Sequence, residues 1–437
     1  MDFIERQFQL KANKTNLKTE IIAGITTFMT MAYIIFVNPS ILADAGMPWE
    51  GVFMATIAGI ILGTVAMAFL TNYPFALASG MGLNAFFAYT VVIGMGVPWQ
   101  VALGIIFLEG ILFIILSITP VRKMIVNSIP MSLKSAIAAG IGLFIAFIGL
   151  QNAEIIVGYE ATMVTIGDLS SGPPLVALFG TIVMGILYAL KVKGSLLWGI
   201  LAATAFGALP GIGVTPPFEG IFAPPDFASW GLVFGQLDVR GAIDIGLIGV
   251  IIAFLFVDLF DTAGTLVGVS TQAGYLDEDG NLPKANRALL ADAIGTTGGA
   301  IFGTSTVTTY IESASGVAEG GRTGLTGLVT AFLFLLSIFF MPIVGIVPGA
   351  ATAPALVIVG TMMMSNILKI DWDDYTEVLP AFICMITMPL AYSISHGIAL
   401  GFIFFPIIKV FTGRSKEVHP LVYTLGALFI LYFIFIE

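Results

Sequence analysis

Between residues 21 and 411 the sequence is built of apolar stretches about 20 residues long, parted by short polar or Pro/Gly-rich breaks. Twenty apolar residues in a helix span the roughly 30 Å hydrocarbon layer of a bilayer, whereas a transmembrane barrel shows segments of about ten residues alternating in polarity. The stretches here are of the helical kind. Of the 437 residues 58% are hydrophobic and only 10% are charged, less than half the charge that a water-facing surface normally carries. The chain is therefore expected to be an all-α polytopic membrane protein, which excludes a soluble enzyme, a nucleic-acid binder and a disordered scaffold. The net charge of −10 arises from acids that lie mostly in loops. Cys384 is the single cysteine, so no disulfide framework can form. Met1 to Glu20 is polar and mixed in charge, unlike a cleaved signal, so the first apolar run is expected to be retained.

Reading the runs one by one places fourteen spans at 21–43, 52–71, 78–95, 99–118, 131–150, 173–190, 194–209, 244–270, 287–302, 306–321, 323–345, 351–367, 375–391 and 394–411. A further run, Leu421 to Ile436, is a fifteenth span or an interfacial helix. Cytoplasmic loops are enriched in Lys and Arg. With fourteen spans, Arg6, Lys11, Lys14 and Lys18, Arg122 with Lys123, Lys191 with Lys193, Lys284 with Arg287, Arg322, Lys369, and Lys409, Arg414 and Lys416 all fall on one side. The opposite loops, Asp44 to Glu50, Gln151 to Pro174 and Pro210 to Arg240, are acidic or neutral apart from Arg240. The N-terminus and residue 414 are accordingly expected in the cytoplasm. The halves also echo each other: Ile21-Ile22-Ala23 returns as Ile251-Ile252-Ala253, and Ala78-Ser79-Gly80 as Ala314-Ser315-Gly316. Seven spans per half would make the second copy enter from the other side, and inverted repeats of this kind mark transporters, with the substrate held near the midplane between them.

The third and tenth spans do not read as plain helices. Asn72 to Gly82 holds a proline and two glycines, and Thr304 to Ser313 is β-branched and hydroxyl-rich. Each is expected to run as a short extended stretch into a half-helix. Extended backbone at membrane depth survives only where it is buried in protein or lines a cavity, and two such segments in matching places point to a binding site. The half-helix N-termini offer N–H groups to an acceptor-rich ligand. The bland reading, glycines that let helices pack closely, suits one segment better than the pair.

Five acids lie inside or beside apolar runs: Glu109, Asp258, Asp261, Asp292 and Glu312. A carboxylate at the bilayer centre costs several kcal/mol and usually faces a cavity, a partner or a proton path. Asp258 and Asp261 share a helix face with Thr262 and Thr265. Two carboxylates this close do not both ionise readily in a low dielectric, which makes the stripe a candidate proton site; buried packing glue is the alternative. Glu312 stands where the hydroxyl-rich stretch meets its half-helix, and Asn84 lies just inside the other half-helix, able to donate and accept. Asp292 is expected to contact the ligand or brace the site, and Glu109 is left without an assigned role. There is no H-E-x-x-H, Walker loop or G-x-S-x-G, so neither a metalloprotease nor an ATP-driven pump is supported. No metal, no cofactor and no enzymatic activity are expected.

With the stripe Phe256 to Thr265, the stretch Thr308 to Gly316, Ala78-Ser79-Gly80-Met81-Gly82-Leu83-Asn84-Ala85-Phe86-Phe87 and the opening Glu20 to Tyr33 with Val37-Asn38-Pro39, the chain resembles the nucleobase/ascorbate transporter family along its whole length. More narrowly it is similar to the AzgA-like purine permeases. The resemblance implies a plasma-membrane proton symporter with two inverted seven-span repeats. A core would comprise residues 1–130 and 241–346, and a gate residues 131–240 and 347–437. It places the purine between the eighth span and the two half-helices. It also matches Asp258 to the acid that binds the base, Asp261 to a second recognition acid, Glu312 to the tenth-span acid that contacts the base, Asn84 to a third-span asparagine needed for activity, and Asp292 to a supporting ninth-span acid. Asp258, Glu312 and Asp292 are also the candidates for proton coupling. The expected activity is inward symport of guanine or hypoxanthine with H⁺, with adenine as the alternative substrate. The expected partners are the purine, protons and the lipid bilayer, without nucleic acid, and a homodimer is left open. A rival of another class is an anion channel or exchanger on the same architecture, but three carboxylates and no Lys or Arg in the interrupted segments disfavour it.

Overall fold

A computed structural model describes residues 2–119, 128–218, 220–243, 247–277 and 282–435; Arg122 and Lys123, part of the sidedness argument, lie outside the described residues, as do residues 244–246 at the start of the expected eighth span. The protein is a multi-pass helical membrane protein. Among the described residues, nine helices are long and apolar enough to cross a bilayer, from Leu17–Asp44 at the beginning to Ile394–Phe411 near the end. Large apolar side chains such as Ile182, Phe332 and Ile434 stand on the outside. In water such a surface would drive association; in lipid it is the side that is solvated.

The other expected spans differ from the simple count for physical reasons. The runs 194–209 and 375–391 form Ser195–Gly207 and Tyr375–Leu390, and Pro420–Phe435 is of similar size. At 1.5 Å per residue these reach about 20–25 Å, short of a full crossing. The run 306–321 is divided into the strand Val307–Thr309 (β4) and the short helix Ser313–Ala318. The run 78–95 is divided into the strand Leu77–Ser79 (β1), the helical turn Met81–Ala85 and a wider π-helical stretch, Phe86–Gly94. Two further strands, Ile156–Tyr159 (β2) and Met163–Ile166 (β3), make an exposed hairpin in what the sequence presents as a plain loop.

β1 and β4 pair antiparallel deep inside the bundle, with Leu77 opposite Thr309, Ala78 opposite Thr308 and Ser79 opposite Val307. Gly80 N–H donates to the Thr306 carbonyl at 3.0 Å and Tyr310 N–H to the Ala76 carbonyl at 3.0 Å, extending the ladder at both ends. A two-stranded ribbon still leaves the outer edge of each strand unpaired, and lipid offers it nothing. Two threonines close those edges in the same way. Thr64, on the helix Trp49–Thr71, accepts from Leu77 N–H at 2.9 Å and donates to the Leu77 carbonyl at 3.2 Å. Thr296, on the helix Ala285–Phe302, accepts from Val307 N–H at 3.2 Å and donates to the Val307 carbonyl at 3.0 Å. These two helices also pack against each other across the ribbon.

Glu20 is fully buried in the first turn of Leu17–Met31 and accepts from the start of Gly324–Ser337. Its carboxylate takes Arg322 N–H at 2.9 Å, the Thr323 hydroxyl at 2.8 Å and the Thr326 hydroxyl at 2.6 Å. It thereby satisfies donors that a helix N-terminus cannot satisfy itself and meets the positive end of its dipole. Glu20→Ala is expected to lower stability by about 3 kcal/mol, since each bond to a charged acceptor is worth about 1.5–3 kcal/mol and some water will enter. An unchanged thermal unfolding midpoint in detergent would contradict this role.

Candidate substrate site

The ribbon positions the candidate residues. Asn84 is held at the start of its half-helix by its own N–H, which donates to the Gly80 carbonyl at 2.8 Å. Its side-chain oxygen accepts from the Ser305 hydroxyl, immediately before β4. The side chain is wholly buried and its Nδ2 has no acceptor among the described residues. A buried amide donor left open in this way is available to a ligand.

Glu312 follows β4 at the N-terminal edge of Ser313–Ala318 and is half-buried. It does not cap that helix with its side chain; instead Oε1 accepts from the Tyr33 hydroxyl at 2.6 Å. Tyr33 lies at the break between Leu17–Met31 and Ile34–Asp44. Tyr310 completes the corner by donating to the Ser79 carbonyl at 2.5 Å. Asp261, also half-buried, lies within electrostatic reach of Glu312 and Tyr310.

Asp258 and Asp292 lie one layer deeper, both fully buried. The Thr262 hydroxyl, one turn after Asp258 on the helix Ile248–Ala273, is 2.7 Å from Asp292 Oδ2 and 3.4 Å from Asp258 Oδ1. Thr309 on β4 donates to Asp292 Oδ1 at 2.8 Å, and the Thr296 hydroxyl is 3.4 Å from Asp258 Oδ2. Asp292 thus ties two helices to the strand, while among the described residues Asp258 has only long contacts from hydroxyls. Glu109, on the helix Trp99–Ile118, faces Asp258 from the far side.

The polar stripe of the sequence therefore joins the two depths: Thr262 bonds to Asp292, and Asp261 lies within electrostatic reach of Asp258, Asp292 and Glu312 alike. All five sequence candidates gather around the ribbon. Sequence reasoning passed over Tyr33, Tyr310, Thr296 and Thr309 as partners; hydroxyls inside apolar runs were the signal. The site offers carboxylate acceptors at two depths and one open amide donor, the set a heterocycle with N–H and carbonyl edges requires.

The sequence matches the pattern of the Permease family Xan_ur_permease over residues 18–435. The chain belongs to this nucleobase permease family. It is a membrane transporter rather than an enzyme. The Guanine/hypoxanthine permease PbuG of Bacillus subtilis (strain 168) is 47% identical to this permease, over 98% of this chain and 99% of its own length. The Adenine permease AdeP of Escherichia coli (strain K12) is 45% identical, over 99% of this chain and 96% of its own. Among solved structures, the transmembrane domain of a cyanobacterium bicarbonate transporter, BicA, matches with a TM-score of 0.63 at 16% identity, covering 88% of this chain and 97% of that one. At that identity the likeness concerns the fold alone.

Proposed function

We propose that this permease imports guanine and hypoxanthine across the plasma membrane together with H⁺. The observation that carries this reading is the buried ribbon with a half-helix leaving each strand, an open amide donor at Asn84 beyond one end and the Glu312 carboxylate beyond the other. A 6-oxopurine has an N1–H donor next to the O6 acceptor: Glu312 accepts from the first, and Asn84 Nδ2 or a half-helix N–H donates to the second. Asp261 adds a second acceptor, suited to the 2-amino group of guanine. Asp258 and Asp292 support the site and belong to its proton-coupling network. The chain has fourteen spans in two inverted repeats, the N-terminus is cytoplasmic, and the core of residues 1–130 and 241–346 moves against the gate of residues 131–240 and 347–437. Closure of the Leu77 and Val307 edges by Thr64 and Thr296 supports the repeat, since the two pairs lie about 230 residues apart in sequence. The similarity to an adenine permease supports a second reading, adenine import, in which the 6-amino group donates to Glu312.

Competition for labelled hypoxanthine uptake in purine-permease-deficient cells separates these readings. Excess guanine is expected to suppress uptake at least about tenfold more than excess adenine, one well-placed hydrogen bond being worth that ratio. Adenine competing as well as guanine would overturn the 6-oxopurine preference. No competition by any purine would overturn purine import itself.

A further inference from the structure

The buried acids differ in what donates to them. Asp292 receives two short hydroxyl bonds and Glu312 receives one from tyrosine. Glu109 is fully buried, and neither of its carboxylate oxygens has a hydroxyl, amide or cationic donor among the described residues. A buried carboxylate without donors is one of the least favourable arrangements a protein can hold. What Glu109 does have is Asp258 facing it from the helix Ile248–Ala273, which packs against Trp99–Ile118, and among the described residues Asp258 is itself reached only by the 3.4 Å hydroxyls of Thr262 and Thr296. Two ionised carboxylates are acceptors only and cannot bond; with one proton between them, one donates to the other and both are satisfied.

Among the described residues, the packing around Glu109 brings no cation to it. The helix Ala285–Phe302 approaches closely at this level, where a β-carbon on Gly110 would fall 2.9 Å from the Thr297 backbone nitrogen. Its acid near Glu109 is Asp292, while Arg287 lies at its far end. The helix Ile248–Ala273 contributes Asp258, with Asp261 one turn on. The turn Val239–Ala242 packs near Gly104, where Asp238 caps its own helix through Gly241 N–H and Arg240 is exposed. The stretch Phe86–Gly94 brings Tyr89, which is bonded to Asp44 at 2.7 Å.

We infer that Glu109 and Asp258 share a single proton, and that this carboxyl pair, set behind the base-contacting residues, holds the proton that is co-transported with each base. The inference rests on the H⁺-symport reading above. The pair communicates with the ribbon through Asp258, Thr262, Asp292 and Thr309 in turn. Losing the proton leaves two facing anions and draws the Thr262 hydroxyl proton from Asp292 toward Asp258. Binding it returns that proton to Asp292.

Proteoliposomes containing the purified permease and a trapped pH dye test this. With the unmodified protein, external hypoxanthine acidifies the lumen; failure here overturns the symport reading, and this inference with it. Glu109→Gln, which keeps the shape and gives Asp258 a permanent N–H donor, is expected to lose acidification and pH-gradient-driven accumulation at least about tenfold while keeping hypoxanthine counterflow within about threefold. Glu109→Asp is expected to restore acidification. Acidification unchanged in Glu109→Gln overturns the inference and leaves symport standing. Infrared spectroscopy provides a readout that does not depend on a variant folding: the unmodified protein without substrate is expected to show a protonated-carboxyl C=O stretch at neutral pH, and its absence would rule out the shared proton.

Discussion

Glu312→Gln is expected to lower the initial rate of hypoxanthine uptake by roughly 10–100-fold, with thermal stability nearly unchanged. The glutamine oxygen can still accept from Tyr33, so the corner where Leu17–Met31 and Ile34–Asp44 meet β4 keeps its anchor. What changes is the face toward the ligand. An anionic acceptor becomes an amide that presents N–H to the N–H of a 6-oxopurine, so a charge-assisted bond worth about 1.5–3 kcal/mol is lost and a donor meets a donor. Glu312→Asp keeps the charge but shortens the side chain, pulling the carboxylate away from Tyr33, and an intermediate rate is expected. Uptake within twofold of normal for Glu312→Gln, with the protein folded, would mean that Glu312 does not touch the base.

Replacing Asp292 with alanine is expected to remove both uptake and a large part of the stability. Its two oxygens hold Thr262 at 2.7 Å and Thr309 at 2.8 Å, joining Ile248–Ala273 and Ala285–Phe302 to β4 at a place where all three side chains are buried. Truncation leaves two hydroxyls without acceptors and a hole where a carboxylate stood, and losses of about 3–5 kcal/mol follow when one member of a buried polar network is removed. Asp292→Asn keeps the volume and one acceptor oxygen, so it should recover more of the folding than of the transport. Thermal melting and uptake measured on the same two variants check this: a residue that only braces the site would lose both in proportion, while one that also belongs to the proton-coupling network loses transport beyond its loss of stability.

The two interrupted segments were legible because their composition breaks a strong pattern: Pro74, Gly80 and Gly82 in one and a run of threonines in the other disturb otherwise apolar helices. The acids of the site were legible for the same reason, each being costly in its run. Their partners were not. Tyr33 and Glu312 are 279 residues apart, and Glu20 and Thr326 are 306 apart, so no local period or spacing records that they meet. Lys409, which reads as a loop charge at the end of an apolar run, is fully buried with Glu377 at 2.6 Å and Glu417 at 2.8 Å. A long cationic side chain near a helix end can be satisfied by acids that sequence order leaves far apart, and counting charges cannot distinguish the two cases. The helix lengths were overstated where apolar character continues through residues that turn the chain, as in 306–321.

The pairing of β1 with β4 also fixes an order of assembly. The chain is made from the N-terminal end, and Leu77–Ser79 emerges some 230 residues before the strand that completes it. Until Val307–Thr309 arrives, one edge of β1 has only transient partners at a depth where water is scarce. Contacts this distant are the last to be rewarded during folding, because the intervening loop must close first. The candidate site is therefore finished late, and a nascent chain interrupted before residue 309 exposes an unfinished strand edge, a mark by which quality control can distinguish an incomplete permease from a whole one.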